Sequence, residues 1–492
     1  EIRLSLVGSE MCIRDRRYAY ATNSTTADPW LYLYRWDSTY PMGYDENGNE
    51  MRSPASEVHQ ANTANKEDNY LSFNVGATLK ITKDWKFDID YTYAGEDQIW
   101  KKNGTKYTAA DTWTAPVKRL DGNGNQIYVN NKGEVVSAGS QGAMPAYDLN
   151  YRQYTADGGN PDHIRRQVTN AKRHTLNITT DYNWQINKQN NLKVLAGMNR
   201  TDWESEDNWS QITNLTDINN LSWDKTIGTQ TSSGNLYWDG QLGFFGRVNY
   251  NFMDKYLLEA NVRYDGSSKF PSSLQWRAFP SFSAGWRLSE EKFMKNVTWL
   301  DNLKLRLSYG KLGNESIGQQ YAASDELSLN GKYNFNNSLV GIAAVTKLAN
   351  KKTSWESSEQ YNIGLDFDIF KRISATIDYY IKNTSDILMQ VPVSGTLGMS
   401  TVPYQNAGKM QNRGLEMTLR YNDRFGKVGT HFSASATRVY NKVKDLAGKD
   451  ELIMSNHIWR VNEPFNSLYG LQVEGVYQNE EEIKNHLIFS KN

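Results

Sequence analysis

The chain has 492 residues, with Lys plus Arg and Asp plus Glu balanced at 55 each, so it has no global basic field to hold nucleic acid. Hydrophobic residues are only 38% and mean hydropathy is −0.70, yet aromatics reach 12%, with 30 Tyr and 15 Trp. Disordered chains are polar but poor in rings, so the totals point instead to sheets wetted on one face and lined with rings on the other. The single cysteine, Cys12, rules out an internal disulfide and a thiolate metal cluster. The longest apolar stretch, Leu339 to Val345, is interrupted by Gly341 and falls well short of the roughly 18 residues of a spanning helix. A membrane crossing would therefore have to be made by strands, since lipid leaves loose backbone groups unsatisfied.

Residues 1–16 carry Arg3, Leu4, Leu6 and Val7 in the manner of a signal peptide, but Gly8, Ser9 and Glu10 break the apolar run. Glu10 and Met11 also stand where a lipoprotein needs small residues before its cysteine. The stretch resembles translated sequencing-adapter read-through and is expected to be non-native. Residues 17–69 are read as the start of a barrel or a loop leading into it, and 70–492 as barrel.

Period-two alternation starts at Leu71. Leu71, Phe73, Val75, Ala77, Leu79 and Ile81 alternate with polar or small residues, a turn follows at 82–84, and Trp85, Phe87, Ile89, Tyr91 and Tyr93 resume the pattern. Further strands are expected at 174–184, 192–200, 242–251, 255–265, 276–288, 302–310, 360–370, 372–380, 413–422 and 428–440. Several have the length of about 9–11 residues that a tilted strand needs to cross a bilayer. Pro280 is expected to mark a bulge or a strand end, because it cannot donate to a ladder.

The gaps alternate short and long. Short ones are 82–84, 252–254, 371 and 423–427; long ones are 94–173, 201–241, 311–359 and 381–412. Outer-membrane barrels have this asymmetry of brief periplasmic turns and extended outer loops. The segment 289–301 is the longest of the short class, with a helical turn expected over Glu290–Met294. A soluble sandwich or a propeller would also give two-faced strands, but a propeller needs an even repeat and none is present. The fold class that follows is all-β, a transmembrane antiparallel β-barrel of about twelve or more strands.

The polar positions of these strands suit a watery lumen, since burying them in a dry core would be prohibitive. Asp88, Asp90, Arg247, Glu259, Arg263, Lys304, Arg306, Asp366, Asp368, Glu416 and Arg420 are the expected lumen-lining residues, joined by Asn249 and Asn261. On the opposite positions, rings such as Trp85, Tyr93, Trp184, Tyr256, Trp286 and Phe370 stand near strand ends, as aromatic girdles do.

Catalytic chemistry is not in view. The six histidines at 59, 163, 174, 431, 457 and 486 make no metal-ligand spacing, and no nucleophile elbow, Walker loop or dinucleotide fingerprint occurs. No cofactor is expected. Asp45–Glu50 and Asp121–Gln126 have a calcium-loop flavour, but the second lacks the sixth-position Gly and has Lys132 in place of the twelfth-position Glu. Asn-Gly turn chemistry explains it better. Asp366 and Asp368 could suggest a glycosidase pair, but they share a strand face with many other charges. Trp113, Trp203, Trp209, Trp223 and Trp238 fall in the long loops, where they could stack on a ligand or simply pack the loops together.

A series of motifs carries a family resemblance. In order they are RYDGSSKF (263–270), PSFSAGWRLSEEKF (280–293), NLKLRLSYGKLGN (302–314), Trp355-Glu356 with QYNIGLDF (360–367), IDYYIKNTSDIL (377–388), NAGKMQNRGLEMTL (406–419) and GVYQNEEEI (475–483). From about residue 242 onward the chain resembles the SusC/RagA family of TonB-linked outer-membrane proteins, with a looser likeness over 17–241. In NRGLEMTL, Gly414 is expected to permit an unusual backbone conformation at the start of its strand.

The resemblance implies a barrel of about 22 strands closed by a plug, opened through TonB in the Gram-negative outer membrane and working with a SusD-type surface lipoprotein. It implies import of oligosaccharides or oligopeptides, without enzymatic activity. Neither a signal peptide, a TonB contact motif nor a plug is recognisable, so the chain is expected to be part of such a barrel: an arc with two unpaired edges, unable by itself to gate or transport. A siderophore or cobalamin receptor and a soluble secreted carbohydrate-binding β-protein are the alternatives.

Overall fold

The structure, a computed structural model, describes residues 65–101, 103–111, 116–155, 161–317, 324–347, 349–391 and 402–473. Shorter described pieces lie at 2–5, 10–17, 43–44, 48–53, 396, 475–476, 478–479 and 481–482. Twelve long strands follow one another: β1 (Asn65–Lys80), β2 (Trp85–Lys101), β3 (His163–Asn187), β4 (Asn190–Thr213), β5 (Gln230–Phe252) and β6 (Tyr256–Ser267). The rest are β7 (Trp276–Arg287), β8 (Leu300–Asn314), β9 (Glu356–Ile369), β10 (Ile373–Gln390), β11 (Tyr404–Phe425) and β12 (Val428–Leu446). Every strand expected from alternation is present.

Each long strand pairs antiparallel with its neighbours in sequence, in a single fourteen-stranded sheet. The remaining two strands, Ile2–Ser5 and Glu10–Arg17, pair antiparallel with the outer edge of β1. They lie along the sheet edge, and an unpaired edge accepts any extended segment that reaches it. At the far side β12 pairs with β11, and among the described residues the path of strands does not close into a ring. Among the described residues no helix is long and apolar enough to cross a membrane.

The strands are longer than alternation indicated. β3 has 25 residues and β4 has 24, and their ladder runs from His163–Thr213 down to Asn187–Asn190. Pairing needs only backbone groups, whereas alternation needs one dry face, so the pattern fades where a strand rises into water on both sides. The connections shrink accordingly. They are 81–84, 188–189, 253–255, 288–299, 370–372 and 426–427 at one end of the sheet, and 102–162, 214–229, 268–275, 315–355 and 391–403 at the other. The asymmetry has one exception, because 268–275 on the long side is shorter than 288–299 on the short side. The turn expected over Glu290–Met294 begins earlier, as a 3-10 turn at Leu288–Glu290, and continues through Met294 N–H to Glu291 C=O.

Pro280 is neither a bulge nor a strand end on its β6 side, where it stands opposite Val262 in unbroken register. The ladder to β8 starts only at Ser281, however, so no partner is denied a donor. Beyond that point Phe279 packs with Phe270, Ile317 and Trp355, all buried. A second cluster joins Met389, Val391, Val443 and Leu446 to Leu452 of a small sheet, Glu451–Met454 with His457–Arg460 and Ser467–Leu468. A third sits in the hairpin of Lys106–Asp111 and Asn150–Thr155, around Tyr107 and Ala109. All three lie at the end with the long connections. The wall of the sheet has no comparable dry core.

Candidate functional site

The register sorts the wall into two faces. Directly opposed residues share a face, so a chain of pairs can be followed across the sheet. One such chain runs Asp90–Asn177–Asn199–Gly243–Asp265. Others run Arg247–Asn261–Ser281 and Arg306–Gly364–Asp378–Glu416–Thr437. Followed in this way, all eleven expected lumen-lining residues fall on one face. The other face carries Phe244, Tyr256, Leu258, Val262, Trp286, Leu307 and Ile363, all more than a third exposed. An exposed apolar face of this extent belongs against lipid.

The charges of the polar face are knitted together. Lys86 reaches Asp88 at 3.0 Å and Asp181 at 3.1 Å, and Thr78 donates to Asp88 at 2.6 Å. Asn74 donates to both carboxylate oxygens of Asp90. Arg247 donates to Asn261, which in turn donates to Glu259, and Arg263 forks onto Asp265 at 3.0 and 2.7 Å. Arg306 forks onto Asp366 at 2.8 and 3.0 Å and reaches Asp378 at 2.9 Å. Asn302 donates to Asp368. Lys304 stands opposite Asp366, Glu416 opposite Asp378, and Arg420 opposite Ser374 and Ser433. Asp265 and Asp378 were not singled out from sequence, although each continues the alternation of its strand. Asp366 and Asp368 are thus held as members of ion-pair and amide contacts, not as a facing acid–base couple.

The four described tryptophans, Trp203, Trp209, Trp223 and Trp238, do not share one face. Trp203, Trp209 and Trp238 belong to strands, a correction that follows from the lengthened ladders. Trp203 opposes Arg173 and Trp209 opposes Gln167, which places both on the polar side. Arg165 lies over the Trp209 ring at 4.1 Å. Trp238, opposite Glu204, falls on the other side, and Trp223 opens the short turn Trp223–Lys225. Trp113 lies outside the described residues.

Nothing among the described residues is arranged to bind a metal ion. Asp121 closes a hairpin tip by accepting from the backbone N–H of Asn123 and Asn125, with Gly124 at φ +85°. Those hydrogen bonds, the Asn125 backbone first, hold its carboxyl below the usual range. Residues 45–47 of the other calcium-like stretch lie outside the described set.

A sheet with one continuous lipid-facing side, one charged side and long connections at a single end is the wall of an outer-membrane barrel. Residues 14–462 match the family described as TonB dependent receptor-like, beta-barrel, and the chain belongs to it. It is 32% identical over 316 residues to a TonB-dependent receptor of Formosa agariphila, covering 61% of this chain and 29% of that protein. It is 33% identical over 215 residues to the TonB-dependent receptor SusC of Bacteroides thetaiotaomicron, covering 43% of this chain and 21% of SusC. The fold is similar to that of the RagAB peptide transporter, with TM-score 0.69 at 19% identity over 88% of this chain and 43% of the solved one. The chain thus spans about a third or less of the length of these curated relatives. Its place is the Gram-negative outer membrane.

Proposed function

We propose that the receptor built on this wall imports oligosaccharides or oligopeptides across the outer membrane, by binding and gated passage rather than by catalysis. The observation that carries this reading is the run of paired charges and amides across the polar face, from Asp88 to Arg420, in a family whose relatives include SusC. Such a wall keeps a passage wet and offers hydrogen bonds to a polar cargo too large for a simple pore. The expected lumen-lining residues then face the passage. Trp203 and Trp209, on the same side near the long connections, are the ring platforms a sugar or peptide would meet first. The partners in this reading are a SusD-type surface lipoprotein at the outer mouth and TonB from the periplasm. Deleting the complete gene together with its neighbouring lipoprotein gene, then measuring uptake of labelled glycans and peptides, tests it. Loss of one cargo class names the substrate; unchanged uptake of both overturns the reading.

A further inference from the structure

On the polar face Lys86, Arg263 and Arg306 each have a carboxylate partner. Arg165, near the outer end of β3, departs from that pattern. Its guanidinium lies 4.1 Å from the centroid of the Trp209 ring, and among the described residues it makes no ion pair. Its Nε is closed off from water and has no hydrogen-bond partner there. The acids nearest in sequence and register are already engaged. Asp207 accepts from Gln167 at 2.9 Å and from Thr169 at 2.8 Å. Asp162 pairs with Lys106 at 3.0 Å and accepts from the Leu215 N–H at 3.1 Å. An unpaired and partly dry cation is costly, and an anion docked on it offsets that cost. Stacking on the indole fixes the guanidinium plane and leaves its in-plane N–H groups as a fork. That fork matches a carboxylate.

The surroundings favour a sugar over a peptide as its bearer. β3 and β4 are paired along both edges at Gln167 and Trp209, so no free edge can take up a peptide main chain. The face offers side chains instead: Gln211 directly opposite Arg165, Gln167 opposite Trp209, and Trp203 further down the same side. Side-chain amides both donate to and accept from hydroxyls, and a ring can take the apolar face of a sugar. At the rise of a strand, Trp203 and Trp209 lie about 20 Å apart along β4, a distance only an oligomer spans.

We propose that Arg165, stacked on Trp209, binds a carboxylate of a uronic-acid oligosaccharide as it enters the passage. This assignment rests on the import reading above and narrows its cargo to acidic glycans. The test uses the complete receptor with its partner lipoprotein, both purified and in cells. The probes are galacturonate, glucuronate and mannuronate oligomers, the same oligomers as methyl esters, and oligoglutamate. The wild type should bind an acid oligomer at least about tenfold more tightly than its ester, and less tightly as salt is raised. Arg165→Gln should lower that affinity about tenfold while leaving binding of the ester unchanged. Arg165→Lys, which keeps the charge without the fork, should restore part of it. Arg200→Gln should change neither, since Arg200 stands on the opposite face and pairs with Asp202. Equal affinity for acid and ester, or an Arg165→Gln receptor that binds the acid as the wild type does, would overturn the carboxylate assignment. Uptake of a neutral glycan in that case would leave the import reading standing. A preference for oligoglutamate would overturn the choice of sugar. Binding of none of the probes would overturn the assignment as well, and the gene deletion would then decide the import reading separately.

Discussion

Arg306 lies directly across the backbone of Gly364, so that a Cβ at that glycine would come within 2.6 Å of the guanidinium carbon. Gly364 stands opposite Arg306 on one side and Asp378 on the other. The missing side chain is what allows one guanidinium on β8 to reach Asp366 of β9 and Asp378 of β10 together. Three strands are thereby pinned in register on the polar face.

Gly364→Ala should push the guanidinium off its seat while leaving the sheet intact. These groups are partly exposed, so the expected loss is about 1 kcal/mol. After Arg306→Met the same glycine substitution should cost less, because the guanidinium part of the clash is gone while the Asp378 carboxylate that a Cβ would also meet remains. Urea unfolding of the wild type and the three variants in detergent measures this; full additivity would show that Gly364 matters for another reason.

Much of this wall was legible in the sequence, and the limits have physical causes. Leu71 to Tyr93 alternates because one side meets lipid, and so both the strands and the face of Asp88 and Asp90 could be read. Trp203, Trp209 and Trp238 could not be placed on strands, because TDWESEDNWSQIT (201–213) pairs through its backbone where water wets both sides. Asp378 was overlooked for a different reason. Its role comes from Arg306, 72 positions away, and no local pattern encodes that approach.

Gly414 shows the same limit in a glycine. The sequence suggested an unusual backbone conformation, but its φ is not in the left-handed region. The requirement is steric: the Tyr380 ring, on the residue directly opposite, occupies the place a Cβ would take. A ring laid over a cross-strand glycine is a known way of stabilising such a site. Gly414→Ala should therefore cost about 1–3 kcal/mol, as overpacking does. In a Tyr380→Ala background much of that cost should vanish. If the cost persists undiminished in chemical denaturation, the ring is not the cause.

Trp355 ties the long connections to one another. It is 5% exposed, its ring centroid lies 5.2 Å from Phe270 and 5.4 Å from Phe279, and its Nε1 donates to the Gln275 carbonyl at 2.7 Å. Trp355→Ala should cost about 3–5 kcal/mol and open 268–275 and 315–355 to protease. Trp355→Phe keeps most of the packing but strands the carbonyl, for about 1–3 kcal/mol. Limited proteolysis followed by peptide mapping would separate the two; cleavage confined to other connections would contradict the placement.

At the opposite end, Glu291 gathers three donors onto one carboxylate. Tyr256 Oη and Trp286 Nε1 donate to Oε1 at 2.7 and 3.1 Å, and Lys255 Nζ reaches Oε2 at 3.3 Å. The rings of Tyr256 and Trp286 are stacked, so this one side chain fastens the connection 288–299 to two neighbouring rings of the apolar face. The hydrogen bond from Tyr256, then that from Trp286, hold the carboxyl below its usual range, against a smaller opposing effect of burial. A folded value below the unfolded one, which is about 4.3, means the stabilisation is fully present above that pH. It is lost as pH falls through the lowered folded value, when the proton taken up removes the charge that the three donors favour. Glu291→Gln mimics the protonated acid at every pH. The thermal midpoint of the wild type should therefore exceed that of Glu291→Gln by a constant margin near neutrality, and the two should converge as pH drops below about 4. A margin that stays constant into acid would mean that the charge of Glu291 contributes nothing.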